Sequence, residues 1–238
     1  MPDPLATSPA GGDLAEGEVH VWKTILASDV SSVRTQHAIL SSAERERAGR
    51  FAFDRDRARY ISGRAALRLL LGRYLEVEPE KILIGYGARG KPVLEGVSDW
   101  QFNVSHSRDL ALIAVTRHSA VGIDVEFIDV DFPRDQVAPD VFDPQEIRDL
   151  CVLPPEAGAE YFFQLWTAKE ALLKAAGDGF SIDPRSIRIR LGAAPSILAA
   201  PPIFSSATVE TLSLAPGCAA SIALMSSLGS LKTFSFEG

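Results

Sequence analysis

The sequence is poor in the features that mark secreted, membrane-spanning or nucleic-acid-binding proteins. Only two of its 238 residues are cysteines, Cys151 and Cys218. They form neither a disulfide framework nor a metal-ligand spacing, so a reducing cytoplasm is the predicted location. No apolar run approaches a membrane span in length, and the strongest covers residues 110–115. Residues 1–17 lack a basic start followed by an apolar stretch, so we expect a disordered leader there instead of a signal peptide.

Positive charge is scarce overall and concentrated in one segment. The formal net charge is −7, which argues against general nucleic-acid binding. The segment 45–73, however, holds nine arginines and three acidic residues, so its net charge is +6 and the rest of the chain carries −13. A basic region in an acidic protein suits an anionic ligand or partner better than DNA. Most of these arginines are nevertheless expected to form a solvated helical face.

The residues that are present predict an ordinary globular protein with helices and strands. Hydrophobic residues make up 46% of the chain and charged residues 23%. Apolar residues recur at helical spacing over 54–75 and 160–176, and short helices are expected after Ser41 and after Asp143. Strands are predicted at 19–26, 82–86, 93–94, 102–104, 110–115, 121–127, 187–191, 209–214, 219–225 and 231–236.

This order of elements predicts an α+β fold with two similar halves. Each half offers helices and several strands in broadly the same order. We therefore expect a pseudo-dimer of two similar α/β subdomains, residues 18–120 and 121–238, with the active site at their interface. The segment 129–145, rich in aspartate and proline, is the predicted hinge.

Three carboxylates and a lysine are predicted to converge in this protein. Asp124 and Glu126 share one face of a strand because side chains alternate there. Glu170 and Lys174 lie one turn apart on a helix. If the strand lies against the helix, the three carboxylates repel one another, and a divalent cation is the usual reason that such a cluster is tolerated. We predict a Mg²⁺ site, although solvated acids and a favourable helix pair would explain each residue separately.

Three further residues have settings that suggest either a site or an ordinary structural role. Lys169 falls on the apolar stripe of its helix, so its side chain either snorkels to solvent or reaches a site. His106 follows a strand end into the polar loop 105–109, where a backbone hydrogen bond is the alternative to a binding role. Lys91, in Gly90-Lys91-Pro92, could meet a phosphate from a rigid turn. The other histidines, His20, His37 and His118, are expected to be structural.

Taken together, the motifs of this chain resemble those of the 4′-phosphopantetheinyl transferases. They are Gly90-Lys91-Pro92, Asn103-Val104-Ser105-His106-Ser107, Gly122-Ile123-Asp124-Val125-Glu126 and Trp166-Thr167-Ala168-Lys169-Glu170-Ala171-Leu172-Leu173-Lys174. Their order and approximate spacing match the family over about residues 41–191. The likeness is to the longer, surfactin-synthetase-activating (Sfp-like) type, a monomer of two similar halves. The short trimeric acyl-carrier synthase type is disfavoured because this chain is about twice as long.

The resemblance implies a reaction and the residues that perform it. A serine hydroxyl of an apo acyl or peptidyl carrier protein attacks the β-phosphate of coenzyme A, phosphopantetheine is transferred, and adenosine 3′,5′-bisphosphate leaves. By resemblance, Asp124, Glu126 and Glu170 hold Mg²⁺, or Mn²⁺ in its place. Glu170 also acts as the base, directly or through a water. Lys174 contacts the phosphates, and His106 completes the implied catalytic set.

The same resemblance assigns a set of residues to coenzyme A: Arg47, Arg59, Lys91, Ser105, His106 and Lys174. Ser105 and His106 match positions that bind a phosphate of coenzyme A, and Lys91 matches one near its adenine and phosphate end. The two arginines match positions that hold the 3′-phosphate. Glu44 stands where the family often has a basic residue, and Arg45 beside it is the candidate substitute.

Two other classes of function remain open from the sequence. One is a carrier-protein and coenzyme A binding module that has kept the fold and lost the chemistry, which the presence of all three acids and Lys174 disfavours. The other is a different Mg²⁺-dependent enzyme acting on nucleotides or phosphodiesters, which leaves the serine–histidine segment and the Gly-Lys-Pro turn without a shared role. The Lys169-Glu170-Ala171 form with Trp166 resembles the branch that serves polyketide and nonribosomal peptide pathways.

Overall fold

A computed structural model describes residues 14–87, 90–97, 99–177, 182–192 and 194–237. The α-helices are α1 (Arg34–Ile39), α2 (Ser42–Gly49), α3 (Asp54–Leu75), α4 (Arg134–Val141), α5 (Pro144–Cys151) and α6 (Pro155–Ala176). The strands are β1 (Glu18–Ile25), β2 (Ile84–Tyr86), β3 (Pro92–Leu94), β4 (Trp100–Ser107), β5 (Leu110–Arg117), β6 (Val121–Phe127), β7 (Arg188–Arg190), β8 (Ser196–Ala199), β9 (Thr208–Leu212), β10 (Cys218–Leu224) and β11 (Ser230–Ser235).

These elements form four layers, which fits the predicted α+β arrangement of two similar halves. A four-stranded sheet has the order β11-β1-β5-β4, and a three-stranded sheet has the order β6-β10-β9. The two sheets face each other across an apolar core that includes Val21, Leu112 and Ile123. Helix α3 covers the outer face of the first sheet, and α6 covers the outer face of the second. Each half therefore contributes one 22-residue helix on the outside of one sheet.

Helix α3 has the bounds that the sequence predicts. Asp54 and Asp56 lie in its first turn, where negative charge interacts favourably with the helix dipole. Its buried face includes Leu70 and Leu71, both with 0% exposure, and packs on the first sheet. The helix ends at Glu76, which adopts the left-handed conformation with φ 54°.

Helix α6 approaches strand β6 unusually closely, and this contact positions the site. The helix begins at Pro155, earlier than the predicted residue 160, because proline is well accommodated in a first helical turn. A Cβ atom at Gly122 would overlap the backbone oxygen of Ala171. Only glycine permits this approach, which brings the side chains that follow on β6 next to α6.

Strand β4 is longer than predicted. The sequence indicates a strand at 102–104 and a polar loop from 105, but β4 pairs with β5 as far as Ser107, which lies opposite Leu110. The turn is reduced to Arg108 and Asp109, and Arg108 takes the left-handed conformation with φ 52°. The polar residues of β4 are compatible with a strand because their side chains bind the neighbouring strand β6, as described below.

Three features of the structure lie at or across the predicted domain limits, which stay predictions. The leader was predicted to be disordered up to residue 17, but Leu14 is 6% exposed and packs in the core beneath α3; residues 1–13 lie outside the described chain. The predicted hinge, 129–145, contains helix α4, which accommodates Pro139. Strand β11, assigned to the second half, pairs in parallel with β1 in the first sheet. The division at residues 120 and 121 remains a prediction.

Among the residues that the structure describes, no helix combines the length and the apolar composition needed to cross a membrane.

Candidate active site

Six of the predicted site residues lie together in a cleft between β4, β6 and α6. The cleft has a volume of about 290 Å³ and is lined by Val104, Ser105, His106, Asp124, Glu126, Trp166, Glu170 and Lys174. We call it the carboxylate cleft. Strand alternation explains its composition, because Val121, Ile123 and Val125 point into the core between the sheets while the two acids of β6 point towards α6.

Asp124 is the most deeply buried acid in the carboxylate cleft, with 3% exposure. Its Oδ1 accepts hydrogen bonds from Lys174 Nζ at 2.6 Å and from Ser105 Oγ at 2.8 Å. Its Oδ2 is buried and has no hydrogen-bond partner in the described part of the chain. An unsatisfied buried acceptor costs about 1–3 kcal/mol, and more for a charged group, so this oxygen is suited to a further cation.

The other two carboxylates of the cleft are held in a setting that disfavours negative charge. Burial raises the pKa of Glu126 above its ordinary value, against the opposing effect of a hydrogen bond from Ser107, and Asp124 adds to the rise. Burial likewise raises the pKa of Glu170. The positive charge of Lys174 opposes this rise, and the negative charges of Asp124 and Glu126 add to it. A divalent cation among the three would reverse these unfavourable interactions.

The donor set of the cleft fits Mg²⁺, although the side chains are not arranged around an ion. Carboxylate oxygens are the ligands that this hard cation prefers, and Asp124 Oδ2 has no hydrogen-bond partner in the described chain. In the described ranges, however, no three His, Cys, Asp or Glu side chains are close enough together to hold a metal ion as they stand. The ammonium of Lys174 lies on Asp124 instead. Coordination by all three acids therefore requires side-chain movement.

Lys169 neither snorkels to solvent nor reaches the carboxylate cleft, so neither of the alternatives drawn from the sequence is correct. Its side chain is 2% exposed, and Nζ lies 2.6 Å from Glu146 Oε2. Nζ also donates to the backbone oxygens of Val141 and Pro184, each at 3.0 Å. Glu146 in turn caps the start of α5 and accepts from the backbone of Ile189. Lys169 therefore fixes α6 against α4, α5 and the backbone at Pro184.

A second cavity adjoins the carboxylate cleft and contains the two predicted phosphate-binding arginines. It has a volume of about 590 Å³, and its charged and aromatic lining includes Arg47, Phe51, Arg59, Tyr60, Arg64 and Arg108. We call it the arginine pocket. His106 and Val104 line both cavities, so the two adjoin at the exposed imidazole.

The arginines of this pocket are already engaged with neighbours. Arg47 and Arg64 lie over the ring of Tyr60, at 5.5 and 5.8 Å from its centroid. Arg59 donates to Asp109 Oδ1 from Nε at 2.8 Å and from Nη2 at 2.6 Å. Binding of an anion by Arg59 would therefore replace a carboxylate that is half exposed.

Arg64 and Arg108 line the pocket but were not singled out from the sequence. Arg64 lies on α3 one turn and a residue beyond Arg59, and Arg108 follows directly on the Ser-His-Ser segment. Their positions in sequence are the only signals that could have indicated them.

Lys91 lies outside the described linings of both cavities, and its place at coenzyme A stays a prediction. Its Nζ donates to the backbone oxygens of Lys174 at 2.6 Å and Val121 at 3.1 Å. Burial lowers the pKa of this ammonium to about 8. Lys91 thus joins the end of α6 to the start of β6.

Glu44 is a structural residue, which explains its presence where the resemblance suggests a base. It is 5% exposed and completes a capping box with Ser41 at the start of α2. Its Oε2 also accepts from Arg68 Nε at 2.6 Å. Arg45, the candidate substitute, donates to the backbone oxygen of Ala38 and is absent from the described lining of the arginine pocket.

Comparison with known proteins matches both halves of the chain. The family model described as the 4′-phosphopantetheinyl transferase superfamily matches residues 120–216. A second model, described as the N-terminal part of 4′-phosphopantetheinyl transferases, matches residues 27–118. Together the two matched regions include all eight residues that line the carboxylate cleft.

Curated relatives agree with the family models. The chain is similar to the 4′-phosphopantetheinyl transferase HetI of a Nostoc species, with 42% identity over 171 residues, 71% of this chain and 72% of that one. It is 34% identical to the transferase psf-1 of Bacillus pumilus over 179 residues, 74% of this chain and 75% of the relative. It is 33% identical to the transferase AcpT of Salmonella typhi over 162 residues, 67% and 75% of the two chains.

Proposed function

This chain belongs to the 4′-phosphopantetheinyl transferase superfamily, and from that premise we propose how its two cavities carry out the transfer. The enzyme moves the 4′-phosphopantetheine group from coenzyme A to a serine of an apo acyl or peptidyl carrier protein. We assign Mg²⁺ to the reaction and adenosine 3′,5′-bisphosphate to the second product. The observation that carries the proposal is the adjacency of the carboxylate cleft and the arginine pocket, which share His106 in their linings.

The charges of the two cavities suit the two anionic parts of coenzyme A, its 3′-phosphate and its pyrophosphate. The arginine pocket offers Arg47 and Arg59 to the 3′-phosphate of the adenosine end, and planar guanidinium groups bind phosphate well. His106 lies where the molecule passes from one cavity to the other. The pyrophosphate then reaches the carboxylate cleft, where Lys174 supplies positive charge.

Asp124, Glu126 and Glu170 would hold Mg²⁺ in the carboxylate cleft. When bound there, Mg²⁺ would offset the negative charge of the pyrophosphate and of the leaving phosphate. The unsatisfied Oδ2 of Asp124 supports this assignment, as do the raised pKa values of the two glutamates.

The chain's own residues then handle the proton and the remaining charge. Glu170 lines the cleft beside Lys174, which makes its carboxylate the candidate general base for the serine hydroxyl of the carrier. Lys174 can leave Asp124 and donate to the phosphate oxygens, because its side chain is 30% exposed and borders the cleft. Such a donor acts most strongly where charge develops during transfer.

Mass spectrometry of an intact apo peptidyl carrier domain tests this proposal. We expect incubation with the enzyme, coenzyme A and Mg²⁺ to add the mass of one phosphopantetheine, and EDTA to prevent the addition. Asp124→Ala should abolish transfer, whereas Asp131→Ala, which removes an exposed aspartate outside the cleft, should leave it unchanged.

The failures of this experiment are also informative. Coenzyme A binding without transfer to any of several carriers would indicate the binding module that has lost its chemistry. Tighter binding of other nucleotides would favour the enzyme acting on nucleotides or phosphodiesters. Carriers of polyketide and nonribosomal peptide pathways are the partners to try first. A monomeric state and a cytoplasmic location stay predictions from the sequence.

A further inference from the structure

Strands β4 and β6 lie side by side in the described chain but belong to different sheets, and side chains join them. Three alternate side chains of β4 accept hydrogen bonds from three alternate backbone N–H groups of β6, with a constant offset of 20 residues. The pairs are Asn103 Oδ1 with Ile123 N at 2.9 Å, Ser105 Oγ with Val125 N at 3.3 Å, and Ser107 Oγ with Phe127 N at 3.2 Å. We call this row the side-chain ladder.

The side-chain ladder provides hydrogen-bond acceptors for backbone N–H groups of β6 that have no partner strand on that side. Strand β6 is at the edge of its sheet, with β10 on one side, so every second N–H group points away from β10. Buried backbone donors require a partner. Asn103, Ser105 and Ser107 provide one each, because alternate side chains of a strand share a face.

Two members of the ladder make a second bond that the third does not. Ser105 Oγ donates to Asp124 Oδ1 at 2.8 Å, and Ser107 Oγ donates to Glu126 Oε2 at 2.7 Å. A hydroxyl has one proton and two lone pairs. When one lone pair accepts the β6 amide, the proton is directed at the carboxylate beside it. The two serines bind the acid 19 residues further along the chain, and the residue at that distance from Asn103 is Gly122, which has no side chain to bind.

We propose that Ser107 is a positioning residue for Glu126: it holds Oε2 in the carboxylate cleft and leaves the other carboxylate oxygen for the cation. The inference rests on the proposed function of the cleft. Ser105 stands in the same relation to Asp124, whose second oxygen is the unsatisfied Oδ2. The same two serine hydroxyls therefore join β4 to β6 and orient the carboxylates of Asp124 and Glu126.

Removal of the Ser107 hydroxyl should weaken Mg²⁺ binding directly. Loss of a group that orients a metal ligand typically costs about 10–100-fold in metal affinity. We expect Ser107→Ala to lower the affinity for Mg²⁺, measured by isothermal titration without substrate, by about tenfold. Its kcat should fall with it, while the KM for coenzyme A changes little, since the adenosine end is held in the arginine pocket. Ser107→Thr, which keeps the hydroxyl, should restore most of the affinity.

Asn103→Ala is the matched control for the ladder's structural role. It removes one amide partner and touches no carboxylate, so it should lower the free energy of unfolding while Mg²⁺ affinity stays close to that of the wild type. An equal loss of Mg²⁺ affinity in Asn103→Ala and Ser107→Ala would overturn the proposal, because the ladder would then act through stability alone. If Ser107→Ala does not fold, Ser107→Val and Ser107→Thr replace it as a pair of similar shape that differs in the hydroxyl.

The outcome separates this inference from the proposed function. A wild-type enzyme that binds Mg²⁺ and loads a carrier, with Ser107→Ala unchanged in both, contradicts the role of Ser107 only. A wild-type protein that neither binds Mg²⁺ nor loads any carrier contradicts the proposed function, and the inference falls with it.

Discussion

The ammonium of Lys174 lies 2.6 Å from Oδ1 of Asp124, inside the cleft to which we assign a cation. In the ligand-free protein this lysine partly neutralises the acids. When coenzyme A and Mg²⁺ bind, the proposed roles require Lys174 to move from the carboxylate to a phosphate. The ion pair between Lys174 and Asp124 therefore competes with the binding of Mg²⁺ by Asp124 and of phosphate by Lys174.

Replacement of Lys174 by methionine should separate metal binding from catalysis. Lys174→Met removes the competitor, so the affinity for Mg²⁺ without substrate should stay the same or rise. Carrier loading should fall by about 10²–10³-fold, the usual cost of losing one donor to developing charge. Titration calorimetry and initial rates measure the two effects. Lys81→Met, at an exposed lysine far from the cleft in sequence, is the control, and a parallel loss of Mg²⁺ binding in Lys174→Met would contradict the assignment.

Arg59→Ala should impair coenzyme A more than dephospho-coenzyme A. A charged hydrogen bond is worth about 1.5–3 kcal/mol, so the KM for coenzyme A should rise by about tenfold or more. Dephospho-coenzyme A lacks the 3′-phosphate and should be affected much less. Arg55→Ala, on the same helix with a largely exposed side chain, is the matched control. Equal effects of Arg59→Ala on the two substrates would show that Arg59 does not hold the 3′-phosphate.

The metal-free protein should lose stability as the pH rises above the ordinary carboxyl range, in part because of Glu170. Burial raises its pKa above 4.5. Between 4.5 and the raised value, folded Glu170 holds a proton that the unfolded chain has released, so the free energy of unfolding falls as pH rises through this window. Glu170→Gln cannot titrate and should lack this component. Urea unfolding across a pH series, without metal, compares the two, and a difference that does not vary with pH would refute the raised pKa.

Lys169→Met should destabilise the fold strongly without touching the cleft. It leaves the carboxylate of Glu146 buried without its cation, and breaking such a pair costs about 3–5 kcal/mol. Denaturant unfolding measures this loss. The double variant Lys169→Met, Glu146→Gln removes the uncompensated charge and should recover part of it. If Lys169→Met has the stability of the wild type but no activity, Lys169 acts at the site and not in the core.

Local patterns were sufficient to predict part of the fold and of the cleft. The bounds of α3 follow from its apolar spacing and its acidic first turn, and the alternation along β6 correctly places Asp124 and Glu126 on the face opposite the core. The end of β4 was missed because Ser105 and Ser107 are typical loop residues in a single sequence. Their partners are N–H groups 20 residues further on, which no local pattern reveals.

The contacts of Lys91, Lys169 and Glu44 are with residues distant in sequence. Lys91 donates to a carbonyl 83 residues away, and Lys169 pairs with an acid on another helix. A lysine in a glycine turn or on an apolar stripe gives the same sequence pattern whether it binds a phosphate or a backbone oxygen. Glu44 likewise combines a local cap, visible in the sequence, with a buried pair to Arg68 that is not.

The parallel pairing of β11 with β1 has a consequence for how the chain is made. Glu18 lies opposite Ser230, so the first sheet joins residues from the two ends of the described chain. During synthesis, β1 and β5 can pair early, but one side of β1 must wait until residue 235 has left the ribosome. Contacts so distant along the chain slow folding and leave a strand edge exposed in the meantime. The order of translation therefore makes the completion of the first sheet one of the last events in folding.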